Sequence, residues 1–123
     1  MSWANDLTKL CTKGGHDLGE LGQAIKIEIF SGVVSDTRVD TGRLKGNWQI
    51  QENVPASGQL DRLDPNGSAV TSEINAGATE SGLTYFVNNL PYAQVYEEKD
   101  AMVARNIARV KQNVKSMAKE IKG

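Results

Sequence analysis

The chain has little of several residue types on which disulfide-stapled and catalytic domains depend. Its 123 residues include one cysteine, Cys11, and one histidine, His16. A single cysteine excludes an internal disulfide framework. His16, the only possible histidine base for a Cys11 nucleophile, lies five residues after it, and we do not expect the two to form a catalytic pair. A histidine-based metal site would need ligands that no nearby residue supplies. We therefore expect Cys11 to be a small buried hydrophobe on a helix, and we predict no cofactor, no metal ion and no catalytic residue.

Long apolar runs are also missing, and the net charge is small. No stretch approaches the ~20 apolar residues that a membrane helix needs, and residues 1–10 lack the basic and apolar regions of a signal peptide. The formal net charge is −1, so composition provides no general attraction to nucleic acid or to anionic membranes. We expect a soluble protein, made in a reducing compartment, that does not contact a membrane.

The length predicts a single domain spanning 1–123. The N-terminal part has an apolar stripe at steps of three and four, which predicts helix over 3–34. The stripe is Trp3, Leu7, Leu10, Gly14, Leu18, Leu21, Ile25 and Ile29. Because glycine weakens a helix interior, the pair Gly14–Gly15 predicts a break, followed by a longer second helix from near Asp17.

The middle of the chain alternates between strand-like and turn-like segments. Strands are predicted over 44–53, 69–76 and 83–88. The segment 93–97 is either a helical turn or a last piece of strand. The polar stretch 55–69 predicts a long, flexible loop, since loops of this length are usually mobile or functional.

The C-terminal part predicts an amphipathic helix. Its apolar seam has a period near 3.5 and packs either on the sheet or against another subunit. The seam is Val103, Ile107, Val110, Val114, Met117 and Ile121. The opposite face is basic, with Arg105, Arg109, Lys111, Lys115, Lys119 and Lys122. The whole pattern predicts an α+β fold: a small antiparallel sheet of three to four strands flanked by a long N-terminal helix and this C-terminal helix.

Candidate chemistry is sparse. Gly42 and Gly46 flank Lys45, but the Gly-Lys-Ser/Thr of a phosphate loop does not follow. The acidic run 97–100 is most simply the first turn of the last helix, where acids favour the helix dipole.

A divalent-metal nuclease could be imagined from Asp40, Glu73 and Glu97, although nothing in their spacing supports one.

The segment Val39–Gln49 is the most informative part of the chain, because a polar turn runs directly into a tryptophan strand. Asp40 or Thr41 could cap the turn at Gly42. Arg43 and Lys45 are either a solvent-exposed pair or an interface pair that engages a neighbour's carboxylate. Trp48 is either core or an anchor at a protein interface.

This segment, together with Asn88-Asn89-Leu90-Pro91-Tyr92-Ala93 and the following Tyr96-Glu97, resembles the tail-component (tail-completion) proteins of long-tailed bacteriophages and prophages. In that family an Asp-Thr-Gly-Arg-Leu-Arg segment precedes an Asn-Trp strand, and an Asn-Asn-X-Pro-Tyr-Ala segment precedes an acidic or glycine position. The likeness covers the layout of the whole chain. Here Lys45 replaces the family's usual arginine, and 98–103 lacks the glycines that often follow the second segment.

The resemblance implies a virion structural protein without enzymatic activity, made in the host cytoplasm and located at the head–tail junction (neck) or the top of the tail. It implies a ring, expected to be a homohexamer, around the channel through which genomic DNA passes without sequence recognition. Its neighbours would be neck and tail proteins such as a tail terminator or a head–tail connector.

A cyclic ring needs two different patches that meet head to tail, and the two segments supply candidates. The candidate interface residues are Asp40, Thr41, Arg43, Lys45, Trp48, Asn89, Pro91 and Tyr92. The candidate face toward DNA or an acidic partner is Arg105, Arg109, Lys115 and Lys119. The alternatives are a small metal-dependent nuclease and a non-viral adaptor domain.

Overall fold

The computed structural model describes residues 3–80 and 82–121, and within these ranges the chain is α+β. The elements run in the order α1 Trp3–Thr12, α2 Leu18–Asp36, α3 Arg43–Gly46, β1 Trp48–Glu52, α4 Ser68–Gly77, β2 Thr84–Asn88, α5 Ala93–Asp100 and α6 Met102–Lys119. None of the helices in these ranges is both long and apolar enough to cross a membrane.

The predicted break in the N-terminal helix is confirmed. The chain turns after α1 through Gly15, which has a left-handed φ of 74°, and His16 N–H donates to the Leu10 carbonyl at 3.1 Å. Asp17 then starts α2, because its carboxylate accepts a hydrogen bond from Glu20 N–H at 3.0 Å, a typical N-cap contact. The apolar stripe is interrupted here, since Leu18 is 69% exposed.

The last helix packs against α1 and α2, so the prediction that its seam covers the sheet is wrong. Its buried side also differs from the predicted seam, and consists of Met102, Asn106, Val110, Val114 and Ala118. Ile107 and Met117 are instead 36% and 40% exposed.

The physical reason for the different seam is a buried polar contact that a count of apolar residues cannot find. Asn106 Nδ2 donates to the Asp36 carboxylate at 2.8 Å and to the Met102 carbonyl at 2.7 Å. Gly32 on α2 lets it approach, because a Cβ at that position would collide with the Asn106 side chain. A satisfied amide at a helix contact is compatible with burial.

The sheet has two antiparallel strands in the described residues, with Ile50 opposite Phe86. Phe86 stacks on Trp48 at 4.9 Å and on Phe30 of α2 at 4.5 Å between ring centroids. The core cluster that these rings join contains Val33, Val34, Trp48, Val70, Ile74 and Met102. The strands predicted over 83–88 and in the second half of 44–53 are therefore present.

The strand predicted over 69–76 is wrong, because this segment forms α4. Val70 and Ile74 are four residues apart, a spacing that puts both on one side of a helix as well as on one side of a strand. Both are buried. The helix is favoured because Asp64 accepts a hydrogen bond from Val70 N–H at 3.1 Å, which satisfies a donor in its first turn. The first half of 44–53 is also helical, as α3.

The acidic run lies before the last helix and not in its first turn. Residues 97–100 complete α5, and the Glu97 carboxylate accepts from Val103 and Ala104 N–H at 2.9 and 3.2 Å. Glu97 therefore caps α6 from outside. Between the helices, Ala101 has a left-handed φ of 50°.

The irregular segment 53–67 corresponds to the predicted loop, and whether it is flexible stays a prediction. Its middle is bound to buried Asn47, whose side chain accepts from Leu60 N–H at 2.7 Å and donates to the Leu60 carbonyl at 3.1 Å. Arg62 donates to the Gly46 carbonyl at 2.6 Å and pairs with Glu73 at 2.8 Å. The loop is thus tied to both α3 and α4.

Candidate subunit interface

The two segments that carry the resemblance, 39–49 and 88–93, meet around α3. The Asn88 side chain donates to the Leu44 carbonyl at 2.8 Å. Leu44, Leu90 and Ala93 form a small buried cluster, against which Tyr96 packs. Two segments far apart in the sequence therefore build one part of the surface.

The turn before α3 depends on Gly42. Its φ of 89° is left-handed, and a Cβ there would lie 2.5 Å from the Pro65 nitrogen, so no larger residue fits without movement. Its carbonyl accepts from Gly46 N–H at 2.9 Å and from Asp64 N–H at 3.0 Å. Thr41 Oγ1 accepts from Arg43 N–H at 3.2 Å, so the predicted capping of this turn is confirmed for Thr41.

A groove of about 310 Å³ opens where the two segments meet. We call it the signature groove, and its lining is Arg38, Val39, Asp40, Thr41, Leu44, Tyr92, Val95, Tyr96 and Lys99. Its apolar rim is unusually exposed, at 47% for Val39, 46% for Val95 and 37% for Tyr92. Exposed apolar residues gathered around a concavity are typical of a site that another molecule covers.

Charge and aromatic contacts order one wall of the groove. Arg38 forms a two-pronged ion pair with Asp100 at 2.8 and 2.6 Å, and its guanidinium lies 4.9 Å from the centre of the Tyr96 ring. Tyr92 meets Tyr96 edge-on at 5.9 Å. The hydrogen bonds from Arg38 hold the pKa of Asp100 below its usual range, so this wall stays ionised at neutral pH.

Two charges of the groove have no ionic partner within the described ranges. Lys99 Nζ lies 5.8 Å from the centre of the Tyr96 ring, and no acidic oxygen is within 4 Å of it. Asp40 has neither a hydrogen bond nor an ion pair with any described residue, and it is exposed. A partner with both an acidic and a basic group could therefore be held at fixed positions beside an apolar contact.

The structure divides the predicted interface residues between surface and core. Asp40, Thr41, Arg43, Pro91 and Tyr92 are exposed. Arg43 has one side-chain contact, with the Gln59 amide at 3.1 Å. Asn89 lies inward and donates to the Ala56 and Gly58 carbonyls at 2.9 and 3.0 Å.

Trp48 and Lys45 belong to the interior of the subunit. Trp48 is 5% exposed, and its indole N–H donates to Thr37 Oγ1 at 2.9 Å. Lys45 is 8% exposed, with its aliphatic stem beside Gly67. Of the two alternatives for Trp48, the structure shows the core one. Neither residue offers a neighbour much surface while the subunit keeps this fold.

Six residues of the groove were not among the predicted interface residues: Arg38, Val39, Leu44, Val95, Tyr96 and Lys99. Three of them follow Tyr92 at steps of three, four and seven, which is the spacing of one helix face. That signal becomes usable only when 93–100 is known to be helical, and the sequence left this segment open between helix and strand.

The imagined nuclease carboxylates do not form a metal site. Residues 3–80 and 82–121 contain no group of three or more His, Cys, Asp or Glu that could hold a metal ion. Glu73 is bound to Arg62, whose hydrogen bonds lower the pKa of that carboxyl. Glu97 is occupied at the start of α6.

The basic face of α6 is only partly available. Arg105 contacts Asp36 at 3.4 Å and Arg109 contacts Glu28 at 3.5 Å, both on α2. Lys115 and Lys119 have no hydrogen bond or ion pair with the part of the chain that the structure describes. The two arginines therefore help to join α6 to α2.

Comparison with known proteins gives no relative: no protein-family model, no curated protein and no solved structure matches this chain.

Proposed function

We propose that this chain is a structural protein of a long-tailed bacteriophage virion, located at the neck or the top of the tail. In this proposal it completes the tail and joins it to the head, as a ring of identical subunits, expected to be six, around the DNA channel. It has no enzymatic role.

The observation that carries the proposal is the signature groove. Residues 39–41 and 44 of the first segment line one concave surface together with Tyr92 of the second segment, although the two segments are distant in the sequence. Its exposed valines and tyrosine, with Asp40 and Lys99 beside them, suit a protein partner better than a small substrate. A ring would use such a surface once in every subunit contact.

The lysines on the basic face of α6 could add a second contact to the proposed function. Lys115 and Lys119 could face the DNA channel or an acidic neighbour, because a few lysines hold phosphates without reading sequence. Arg105 and Arg109 would contribute less, since α2 carboxylates already neutralise part of their charge.

Cryo-electron microscopy of particles assembled by the genome that encodes this chain tests the location. The proposal expects density for the chain in a ring between head and tail. Intact particles whose neck and tail contain no copy of it would refute the proposal. Head and tail genes on either side of its gene are expected, and a setting without them would favour the adaptor alternative.

A charge placed in the groove tests the surface. Val95→Asp puts a carboxylate on the exposed apolar rim and should abolish incorporation into particles while the purified subunit still folds. Asn113→Asp adds the same group at an exposed position of α6, outside the groove, and should leave incorporation unchanged. Equal incorporation of the two variants would remove the groove from the interface.

Purified subunit incubated with magnesium or manganese and DNA tests the nuclease alternative. Cleavage that is lost in Asp40→Ala or Glu97→Ala would replace the structural proposal with an enzymatic one.

A further inference from the structure

The β1–β2 ribbon has an outer edge on each side, and within the described residues most of the outward backbone groups of these edges have no hydrogen-bond partner; the Glu52 carbonyl, which accepts from Val54 N–H at 2.8 Å, is an exception. Asn53 N–H donates to the opposite Leu83 carbonyl at 2.7 Å. Because hydrogen-bonded and non-bonded pairs alternate along an antiparallel ladder, Gln51–Tyr85 and Gln49–Val87 are the bonded pairs. The backbone groups of Thr84 and Phe86 on β2, and of Ile50 on β1, therefore point away from the ribbon.

No hydrogen bond within residues 3–80 and 82–121 takes up these outward groups. The backbone hydrogen bonds of turns and loops do not involve Thr84, Phe86 or Ile50. The side-chain hydrogen bond of Thr84 uses its hydroxyl group and not its backbone. Among the described elements, β2 has β1 as its one extensive neighbour. Both strands of the ribbon are thus edge strands, although its core face is covered by helices.

The edge of β2 carries none of the features by which single-chain proteins protect an exposed strand. Such strands usually contain a charge, a proline or a bulge that prevents pairing with another chain. The strand Thr84–Asn88 has the sequence Thr-Tyr-Phe-Val-Asn, with no charged residue, no proline and no glycine. Aromatic and β-branched residues of this kind favour sheet pairing, so the edge is suited to receive a strand.

The edge of β1 lies in a cleft of about 440 Å³. Ala56 and Leu60 of the loop form one wall, and Glu73, Ala76 and Gly77 of α4 form the other. Apart from Leu60 and Glu73 these are small residues, and Ile50 of β1 also lines the cleft. The cleft therefore offers room beside an unsatisfied strand edge.

We propose that β2 of one copy pairs with the β1 edge of the next copy, so that the two-stranded ribbons join into a continuous sheet. The occupant of each edge is a second copy because one subunit carries both complementary edges, on opposite sides of the same ribbon. This part of the inference rests on the proposed self-assembly.

The pairing between copies keeps the antiparallel arrangement that β1 and β2 already have within a subunit. A cyclic axis that runs roughly along the strands keeps β1 of one copy antiparallel to β2 of its neighbour. Each contact then joins two different edges, which is the head-to-tail interface that a closed ring requires. Pairing of two β2 edges would instead give a two-fold dimer with both β1 clefts open.

Amide hydrogen exchange of the full-length protein tests this directly. On going from dilute to millimolar solution, exchange should slow about tenfold or more at Phe86 and Ile50, whose N–H groups point outward. Val87 and Gln49 are matched internal controls, because their N–H groups are already bonded within the ribbon. Slowing at Phe86 without Ile50 would indicate the two-fold dimer and overturn the proposal, as would no slowing at either.

Two variants then separate the edges. Ala76→Arg fills the cleft from an exposed position of α4 and should abolish self-association, whereas Asn75→Arg, next to it and outside the cleft, should not. Val87→Lys places a charge on the uncovered side of β2 and should block the other edge. Each blocked variant alone should be a monomer.

A mixture of Ala76→Arg and Val87→Lys should stop at a one-to-one dimer, because only one intact pair of edges remains. Larger assemblies, or no dimer, would contradict the proposal. If the edges stay unpaired while the chain is found in the neck, the inference fails and the proposed function stands. If the edges pair in solution but the virion contains no copy of the chain, the proposed function fails and the inference about the strand edges stands.

Discussion

The segments 39–49 and 88–93 each have a side that faces the core and a side that faces the groove. Asn47, Trp48 and Leu90 are 0%, 5% and 4% exposed, whereas Val39 and Tyr92 are 47% and 37% exposed. The difference shows that one short segment can satisfy two constraints. One set of residues builds the turn and the core contact that place the other set on the surface.

The largest expected effect is on the core side. Trp48→Ala should lower the free energy of unfolding by about 3–5 kcal/mol, because a buried indole and its ring stacking are lost together. Trp48→Phe keeps an aromatic ring beside Phe86 and loses the hydrogen bond to Thr37, so its cost should be smaller, about 1–3 kcal/mol. Urea denaturation of the purified subunit measures both. If Trp48→Ala left the free energy of unfolding nearly unchanged, Trp48 would be assigned to the interface and not to the core.

The turn that separates the two sides should be the next most sensitive. Gly42→Ala forces a side chain into a left-handed conformation, at about 1–3 kcal/mol, and its Cβ must also displace Pro65. Gly22→Ala is the matched control, since the space around Gly22 is open and it lies within α2. It should stabilise the helix by up to about 1 kcal/mol. Equal thermal stability of the two variants would mean that the turn is not constrained.

A smaller effect concerns the ionised wall of the groove. Because Arg38 lowers the pKa of Asp100 in the folded state, the pair contributes stability above the unfolded pKa of about 3.9. That contribution is lost as the pH falls through the lower folded pKa. Arg38→Gln should return the pKa of Asp100 toward its usual value, measured by NMR titration. Arg62→Gln should raise the pKa of Glu73 and leave Asp100 unchanged.

Local patterns predicted the helices near the two ends of the chain, and failed in the middle, where α3 and α4 lie in segments predicted as strands. The break at Gly14–Gly15, the start of α2 after Asp17 and the last helix follow from residues that act on their own neighbourhood. The four-residue step from Val70 to Ile74 fits a strand and a helix equally. The choice is made by Asp64, a contact that depends on the loop's three-dimensional path.

The sequence predicted some residues of the signature groove, but not the residues that lie just outside the two segments. Asp40, Thr41 and Tyr92, three of the predicted interface residues, do line the groove. Arg38 and Lys99 lie just outside the two segments, and their place depends on the ion pair with Asp100 and on the Tyr96 ring. The sequence could not decide whether Lys45 and Trp48 are buried or exposed, since lysine stems and tryptophan side chains occur both in protein cores and at surfaces.

The smallest expected effect on stability is at Arg43, on the exposed side of the first segment. Arg43→Ala removes one surface contact, to Gln59, so the free energy of unfolding should change by no more than about 0.5 kcal/mol. Incorporation into particles should fall clearly, because an exposed arginine beside the groove can hold a neighbour's carboxylate with two hydrogen bonds. Arg43→Lys keeps the charge without that geometry and should recover incorporation only in part. If stability and incorporation fall together in Arg43→Ala, the residue serves the fold alone, and the separation between core side and groove side fails at this position.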